Sequence, residues 1–209
     1  MAFEGFSARD FEVFAVPDFA GRMGKIRAQI QPKLLALGEA LAPALAGSVG
    51  REVFAHVAKH MRRTVNPPED TWVAFGPERR GYKKAQHFKV AISRHCVRLL
   101  FEVGPEYAEK VTWAAAWRRQ AGSLVAALRK IKGLGWYKNE HDEEPAADLH
   151  EMAPEAVKAL VQEVTRRRDG QLVLGRRLAA AEVTRMRPAD FARAAATAFK
   201  DLLPLYRLR

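Results

Sequence analysis

From the N-terminus, apolar positions first recur with a helical period. Phe6, Phe11 and Phe14 fall on one side of a short helix, which Ser7 and Asp10 would open as a capping box with Asp in place of Glu and which stops before Pro17. Asp18 is placed to cap the next helix. From Met23, the residues Ile26, Ile30, Leu34, Leu37 and Leu41 return every three or four positions, predicting a long amphipathic helix kinked at Pro32 and ending near Pro43. That stripe reads as core, and Gly47, Ser48 and Gly50 break it.

Between Arg51 and Val103 the period shifts to two. Short runs of β-branched and aromatic residues predict antiparallel strands at Glu52–His60, Thr71–Phe75, His87–His95 and Cys96–Val103. Asn66-Pro67-Pro68 forces a rigid loop, and Gly76-Pro77 with Arg80-Gly81 marks the next turn. Helical spacing returns through Tyr107, Val111, Trp113, Trp117, Leu124 and Leu128, and Gly133 ends it. The two tryptophans four apart read as core. Trp136-Tyr137 opens a short strand, Asn139 to Asp148 is an acidic loop interrupted by Pro145, and Pro154 starts a helix through Val157, Leu160, Val161 and Val164 that Asp169-Gly170 stops. Leu172, Val173, Leu174 and Leu178 form a last strand. Arg187-Pro188-Ala189-Asp190 opens the last helix, with Phe191, Ala195, Phe199 and Leu202 inward before Pro204. Helices and strands come in blocks rather than strict alternation, which predicts an α+β fold: a largely antiparallel sheet against several amphipathic helices, one domain over residues 1–209, without an internal repeat.

Composition agrees with a folded chain: 48% of the 209 residues are hydrophobic and 28% charged, unlike a disordered segment. Cys96 is the lone cysteine, so no internal disulfide is expected. The opening residues carry Glu4, Asp10 and Glu12 without a signal-peptide core, and no run approaches the roughly eighteen apolar residues of a membrane span. A cytoplasmic protein without membrane association is the expectation. Charge is more informative, because the chain carries a formal +11. Residues 1–50 are neutral, 51–100 carry +7, 101–162 carry −2 and 163–209 carry +6. Arginine supplies 23 of the 35 cations, and its fork suits phosphate oxygens.

Candidate chemistry concentrates in 56–87, which holds His56, His60 and His87, the NPP loop, and Arg62, Arg63, Arg79, Arg80, Lys83 and Lys84 besides Lys59. On a strand over 52–60, Phe54, His56, Ala58 and His60 would share one face, and a helix would pair the two histidines as well. A zinc site would need further ligands, for which His87 or Asp70 are the nearest candidates, but neither HExxH nor CxxC occurs and no metal is expected. Ser48, Ser93 and Ser123 lack a GxSxG context, Cys96 lies in an apolar run, and neither a Walker loop nor a GxGxxG is present, so no cofactor is expected. An anion-binding reading asks less: Arg62, Arg63, Arg80, Lys83 and Lys84 flank two rigid turns beside Thr64, Asn66, Trp72 and Tyr82, as at a phosphate or nucleic-acid surface. A solvated strand edge protected by Lys and Arg would give nearly the same letters. Arg166-Arg167-Arg168 and Arg176-Arg177 read as solvated faces.

The same stretch resembles the YktB-like bacterial proteins, which carry HVAKHxRRTVNPPxDTWVAF followed by KRGYK and HF. Here the run is His56 to Phe75, then Arg80-Gly81-Tyr82-Lys83 and His87-Phe88. Gly5-Phe6-Ser7 with Asp10-Phe11, Arg22-Met23, Ile30, Pro32-Lys33-Leu34 and Leu203-Pro204-Leu205-Tyr206 support the likeness. Arg79 stands where these proteins favour lysine. The resemblance implies a single-domain α+β cytoplasmic protein of a Gram-positive-type bacterium, and it implies no activity, cofactor or catalytic residue.

Three function classes follow. The first is a module binding a phosphate-rich ligand, RNA or DNA, through Arg62, Arg63, Thr64, Asn66, Trp72, Arg80, Tyr82, Lys83 and Lys84. The second is a phosphoesterase-type enzyme with His56, His60 or His87 as acid or base and arginines stabilising the transferring phosphoryl group. The third is a protein-binding module whose basic face meets an acidic partner.

Overall fold

A computed structural model of the chain describes residues 2–61 and 64–208. Arg62 and Arg63, two of the candidate ligand-binding residues, lie outside the described residues. Helix α1 (Ala8–Glu12) opens with the Ser7 amide donating to Asp10 Oδ2 at 2.6 Å, and Asp18 caps α2 (Phe19–Lys25) by accepting from the Gly21 amide at 2.7 Å. The long helix foreseen from Met23 is interrupted. Residues Ile26–Ile30 wind as a π turn before α3 (Gln31–Val49). Pro32 explains this, since it donates no amide and its ring crowds the preceding turn, which a wider winding relieves. Pro43 does not end α3 as expected: it lies on the exposed side, and the helix runs to Val49 before Gly50 turns left-handed at φ 72°.

Strands β1 (Phe54–Val57), β2 (Asp70–Gly76), β3 (His87–Ser93), β4 (Cys96–Val103), β5 (Leu134–Tyr137), β6 (Ala147–Asp148) and β7 (Leu172–Ala179) form one sheet in the order β1-β2-β3-β4-β7-β5-β6, every neighbouring pair antiparallel. Strand β1 is shorter than predicted. Beyond Val57 the ladder persists only in the Ala58 amide bonding the Trp72 carbonyl at 2.9 Å, and His60 takes a left-handed φ of 51°. His56 and His60 therefore do not share a strand face. Helices α4 (Lys110–Leu128), α5 (Pro154–Ala159), α6 (Gln162–Thr165), α7 (Ala180–Val183), α8 (Pro188–Asp201) and α9 (Leu203–Tyr206) complete the chain. The helix predicted from Pro154 to Val164 is thus two short ones, broken at Leu160-Val161.

Alternation along the strands gives the sheet two unlike faces. On one, Val73, Phe75, Phe88, Val90, Leu99, Phe101 and Leu174 form a core with α3, α4 and α8, in which Phe88 stacks between Phe199 and Tyr206. Trp113 and Trp117 are buried there, as expected. Helix α3 approaches β1 and β2 so closely that a Cβ at Gly38 would come within 2.8 Å of the Ala55 Cβ. The other face carries Asp70, Trp72, His87, Lys89, Arg98, Glu102, Tyr137 and Arg177, and most of these are nonetheless buried. The acidic loop 138–146 and a 3-10 turn at Tyr82–Lys84 lie over it. Gly135 lets the loop settle, since a Cβ there would meet the Pro145 ring at 2.5 Å. Arg98 and Arg177 are cross-strand partners, so the two basic segments of the sequence meet here.

Candidate functional site

Strand period puts charges on the second face, and burial forces them to pair. Lys89, with no solvent exposure, contacts Glu102 and lies 2.7 Å from Glu140 Oε2, with its ammonium 5.2 Å from the Trp72 ring centre. The other Glu140 oxygen takes Lys83 at 2.8 Å. Arg98 donates to Asp70 Oδ2 at 2.6 Å and to the carbonyls of Glu140 and Asp142 at 2.8 and 2.7 Å. Arg177 holds the Glu143 carbonyl at 3.1 Å and the Glu144 carboxylate at 2.7 Å. Three carboxylates, Asp70, Glu102 and Glu140, are thereby met by Lys83, Lys89 and Arg98. Burial alone would raise the carboxyl pKa values. It is outweighed for Asp70 by His141, Arg98 and Lys89, for Glu102 chiefly by Lys89, and for Glu140 by Lys89 and Lys83, so all three are held below the usual carboxylate range. Burial likewise opposes the charge on Lys89, but Glu102 and Glu140 win and raise its pKa.

A chain of rings surrounds this network. Trp72 Nε1 donates to Tyr82 Oη at 2.8 Å, and the Tyr82 ring lies 4.8 Å from His87 and 5.4 Å from His56. His60 sits edge-on to Trp72 at 5.3 Å, with Nε2 3.0 Å from Thr71 Oγ1, and His141 lies 5.7 Å from the same indole. His56 Nε2 is 2.8 Å from the Glu78 carbonyl, and burial lowers its pKa. His87 is enclosed, with Nδ1 3.0 Å from the Ala85 carbonyl and Nε2 3.1 Å from Glu102. His141 differs from these. Its Nδ1 lies 3.0 and 3.1 Å from the two Asp70 oxygens, its side chain is 38% exposed, and its Nε2 is 3.9 Å from Glu140 Oε1, beyond hydrogen-bonding distance.

Of the residues singled out from sequence, the structure brings together His56, His60, Trp72, Tyr82, Lys83 and His87. Thr64, Asn66, Arg80 and Lys84 are exposed, and none of the bonds described above involves them. Sequence reasoning took Asp70 only as a metal ligand and passed over Lys89, Arg98, Glu102, Glu140 and His141. The signal lay in the strands: Lys89, Arg98 and Glu102 occupy alternate positions in otherwise apolar runs. Among the described residues no three His, Cys, Asp or Glu side chains gather as a metal site. Other motif segments brace one another. Asp10 pairs with Lys33 at 2.7 Å, Arg22 donates to the Pro68 carbonyl at 3.0 Å, and Gln86 donates to the Tyr206 carbonyl at 2.8 Å.

These features define an α+β protein whose described residues form a seven-stranded antiparallel sheet, apolar on one face and ion-paired under a loop on the other. The chain belongs to a bacterial family described as a domain of unknown function (DUF1054), which matches residues 6–206. It is 33% identical over 201 residues to a UPF0637 protein of Macrococcus caseolyticus, covering 96% of this chain and 97% of that one. The UPF0637 protein of Bacillus velezensis is 32% identical over 208 residues, covering 97% and 95% of the two chains, and that of Bacillus anthracis is 33% identical over 209, covering 100% and 99%. This is the family that the sequence resemblance implied. No helix among the described residues is long and apolar enough to cross a membrane.

Proposed function

We propose that the protein binds a phosphate-bearing ligand, a nucleotide or an RNA or DNA strand, at the rim where His141, Trp72, His60 and Lys83 lie over the buried network. The observation that carries this reading is the Arg98–Asp70–His141 relay. A carboxylate behind an imidazole fixes its tautomer and its orientation, leaving His141 Nε2 as the ring atom available to a phosphate oxygen or a water. The half-buried indole of Trp72 suits stacking, and the exposed Arg80 and Lys84 add local positive potential. The test is fluorescence anisotropy with labelled single- and double-stranded RNA and DNA, and competition by nucleoside monophosphates, across a salt series. His141→Ala is expected to weaken binding at least tenfold, whereas Arg80→Ala/Lys84→Ala lowers the salt slope by about one for each phosphate that is no longer neutralised. Binding indifferent to His141→Ala overturns the proposal.

The same relay favours a second reading, phosphoester hydrolysis with His141 as the base rather than the enclosed His87. Turnover of bis(4-nitrophenyl) phosphate that disappears in His141→Ala supports it, and turnover that survives removes it.

A further inference from the structure

Strand β1 ends the sheet, and a groove opens at the C-terminal end of its outer edge. The Ala58 amide bonds Trp72, and Cα partners run His56↔Ala74 and Phe54↔Gly76, so the even-numbered residues exchange hydrogen bonds with β2. The N–H and C=O groups of Ala55 and Val57 therefore point away from the sheet. Beside Val57 lies a cavity of about 320 Å³ between β1 and α3, lined by Arg27, Gln31, Pro32, Leu35, Val57 and Lys59. Leu35, 53% exposed, forms part of its wall. Both charged residues of this lining are cationic.

We propose that this groove receives an extended acidic segment of a partner protein, which adds to β1 as an eighth strand. Outward amides at Ala55 and Val57 supply the main-chain bonds, Leu35 and Pro32 take an apolar side chain that points toward α3, and Arg27 and Lys59, which line the same side of the groove, meet carboxylates two positions to either side of it. A second copy of this chain fits less well, because edge-to-edge pairing sets Arg27 and Lys59 against their own copies. The groove is separate from the His141 rim, so this inference stands or falls apart from the function proposed above.

The probe is a series of fluorescein-labelled seven-residue peptides with a central Val, with Glu, Ser or Lys two positions to either side of it so that all three face the groove, and with Ser elsewhere, titrated against the full chain. The Glu series is expected to bind at least tenfold tighter than the Lys series. Val57→Pro removes an outward amide without touching the β2 ladder, so it should abolish binding while circular dichroism and melting temperature stay near wild type. Leu35→Asp on the exposed flank of α3 should do the same, and Arg27→Glu/Lys59→Glu should reverse the preference toward the Lys series. The proposal is overturned if no Glu peptide binds, if Val57→Pro binds as wild type does, or if charge reversal leaves the preference unchanged. A wild-type dimer in sedimentation that Val57→Pro converts to monomer would also overturn it, assigning the edge to a second copy.

Discussion

Replacing Lys89 with methionine keeps the aliphatic stem that fills the space under Trp72 and deletes the ammonium that Glu102 and Glu140 share. Both carboxylates are then left in a buried site with less compensation. Glu140 retains Lys83, and Glu102 retains His87. Removing one partner from a buried ion pair costs about 3–5 kcal/mol, because the orphaned charge keeps its desolvation penalty. For a chain of this size that corresponds to a fall in melting temperature of roughly 6–20 °C. Urea unfolding followed by circular dichroism measures it, with the slope m checked for constancy.

Acid titration gives the sign of the same effect. Asp70, Glu102 and Glu140 have folded pKa values below the unfolded 3.8 and 4.5. Their stabilising contribution is therefore complete above about pH 4.5 and is lost as the pH falls through the depressed folded values. Because Lys89 leads in holding Glu102 and Glu140 down, the gap between wild type and Lys89→Met should narrow below pH 4.5. A gap under about 1 kcal/mol at pH 7, or one constant down to pH 3, refutes the view that Lys89 is the electrostatic centre of this face.

Two tyrosines should respond oppositely to loss of the hydroxyl. Tyr82→Phe strands the Trp72 indole N–H and should cost about 1 kcal/mol, whereas the buried Tyr137 hydroxyl has no hydrogen-bond partner among the described residues, so Tyr137→Phe should be neutral or stabilising by up to about 1 kcal/mol, both read by urea unfolding. Gly38→Val should lower stability by roughly 1–3 kcal/mol by forcing α3 off Ala55, while Gly47→Ala, where nothing lies within 4 Å, should raise it by about 0.5–1 kcal/mol in the same assay. Asp18→Ala removes the cap on α2 and should cost about 1 kcal/mol, seen as a shifted thermal midpoint.

Local chemistry made much of the fold legible. Ser7 with Asp10, Asp18, the stripe from Ile26 to Leu41 and the period-two runs of β2, β3 and β4 each specify their element from a few neighbouring residues. What distance in sequence conceals was lost. Nothing near Asn139–Ala146 announces that this loop lies on β3 and β4, so His141 read as one polar residue in an acidic stretch, although it meets Asp70 across 71 positions. The histidines His56 and His60 looked paired because a strand was extended through Ala58. The left-handed turn at His60 is imposed by the tertiary setting beside Trp72 rather than by a glycine or asparagine. The +7 of residues 51–100 likewise overstated the free charge, since Lys83, Lys89 and Arg98 are consumed by Asp70, Glu102 and Glu140.

That consumption needs a reason beyond stability, because well-packed apolar residues of similar volume often stabilise as much as buried ion pairs do. Apolar contact is non-directional, and it would let a loop without regular structure settle in many positions. Directional bonds do not. Arg98 on two loop carbonyls, Lys83 and Lys89 on Glu140, and Arg177 on Glu143 and Glu144 define one placement, and that placement sets His141 against Asp70. Glu140→Gln should accordingly cost less stability than Lys89→Met yet speed hydrogen exchange at the amides of His141 and Asp142 and weaken ligand binding at the rim as His141→Ala does. If exchange in the loop stays at its wild-type rate, the ions are not what position His141.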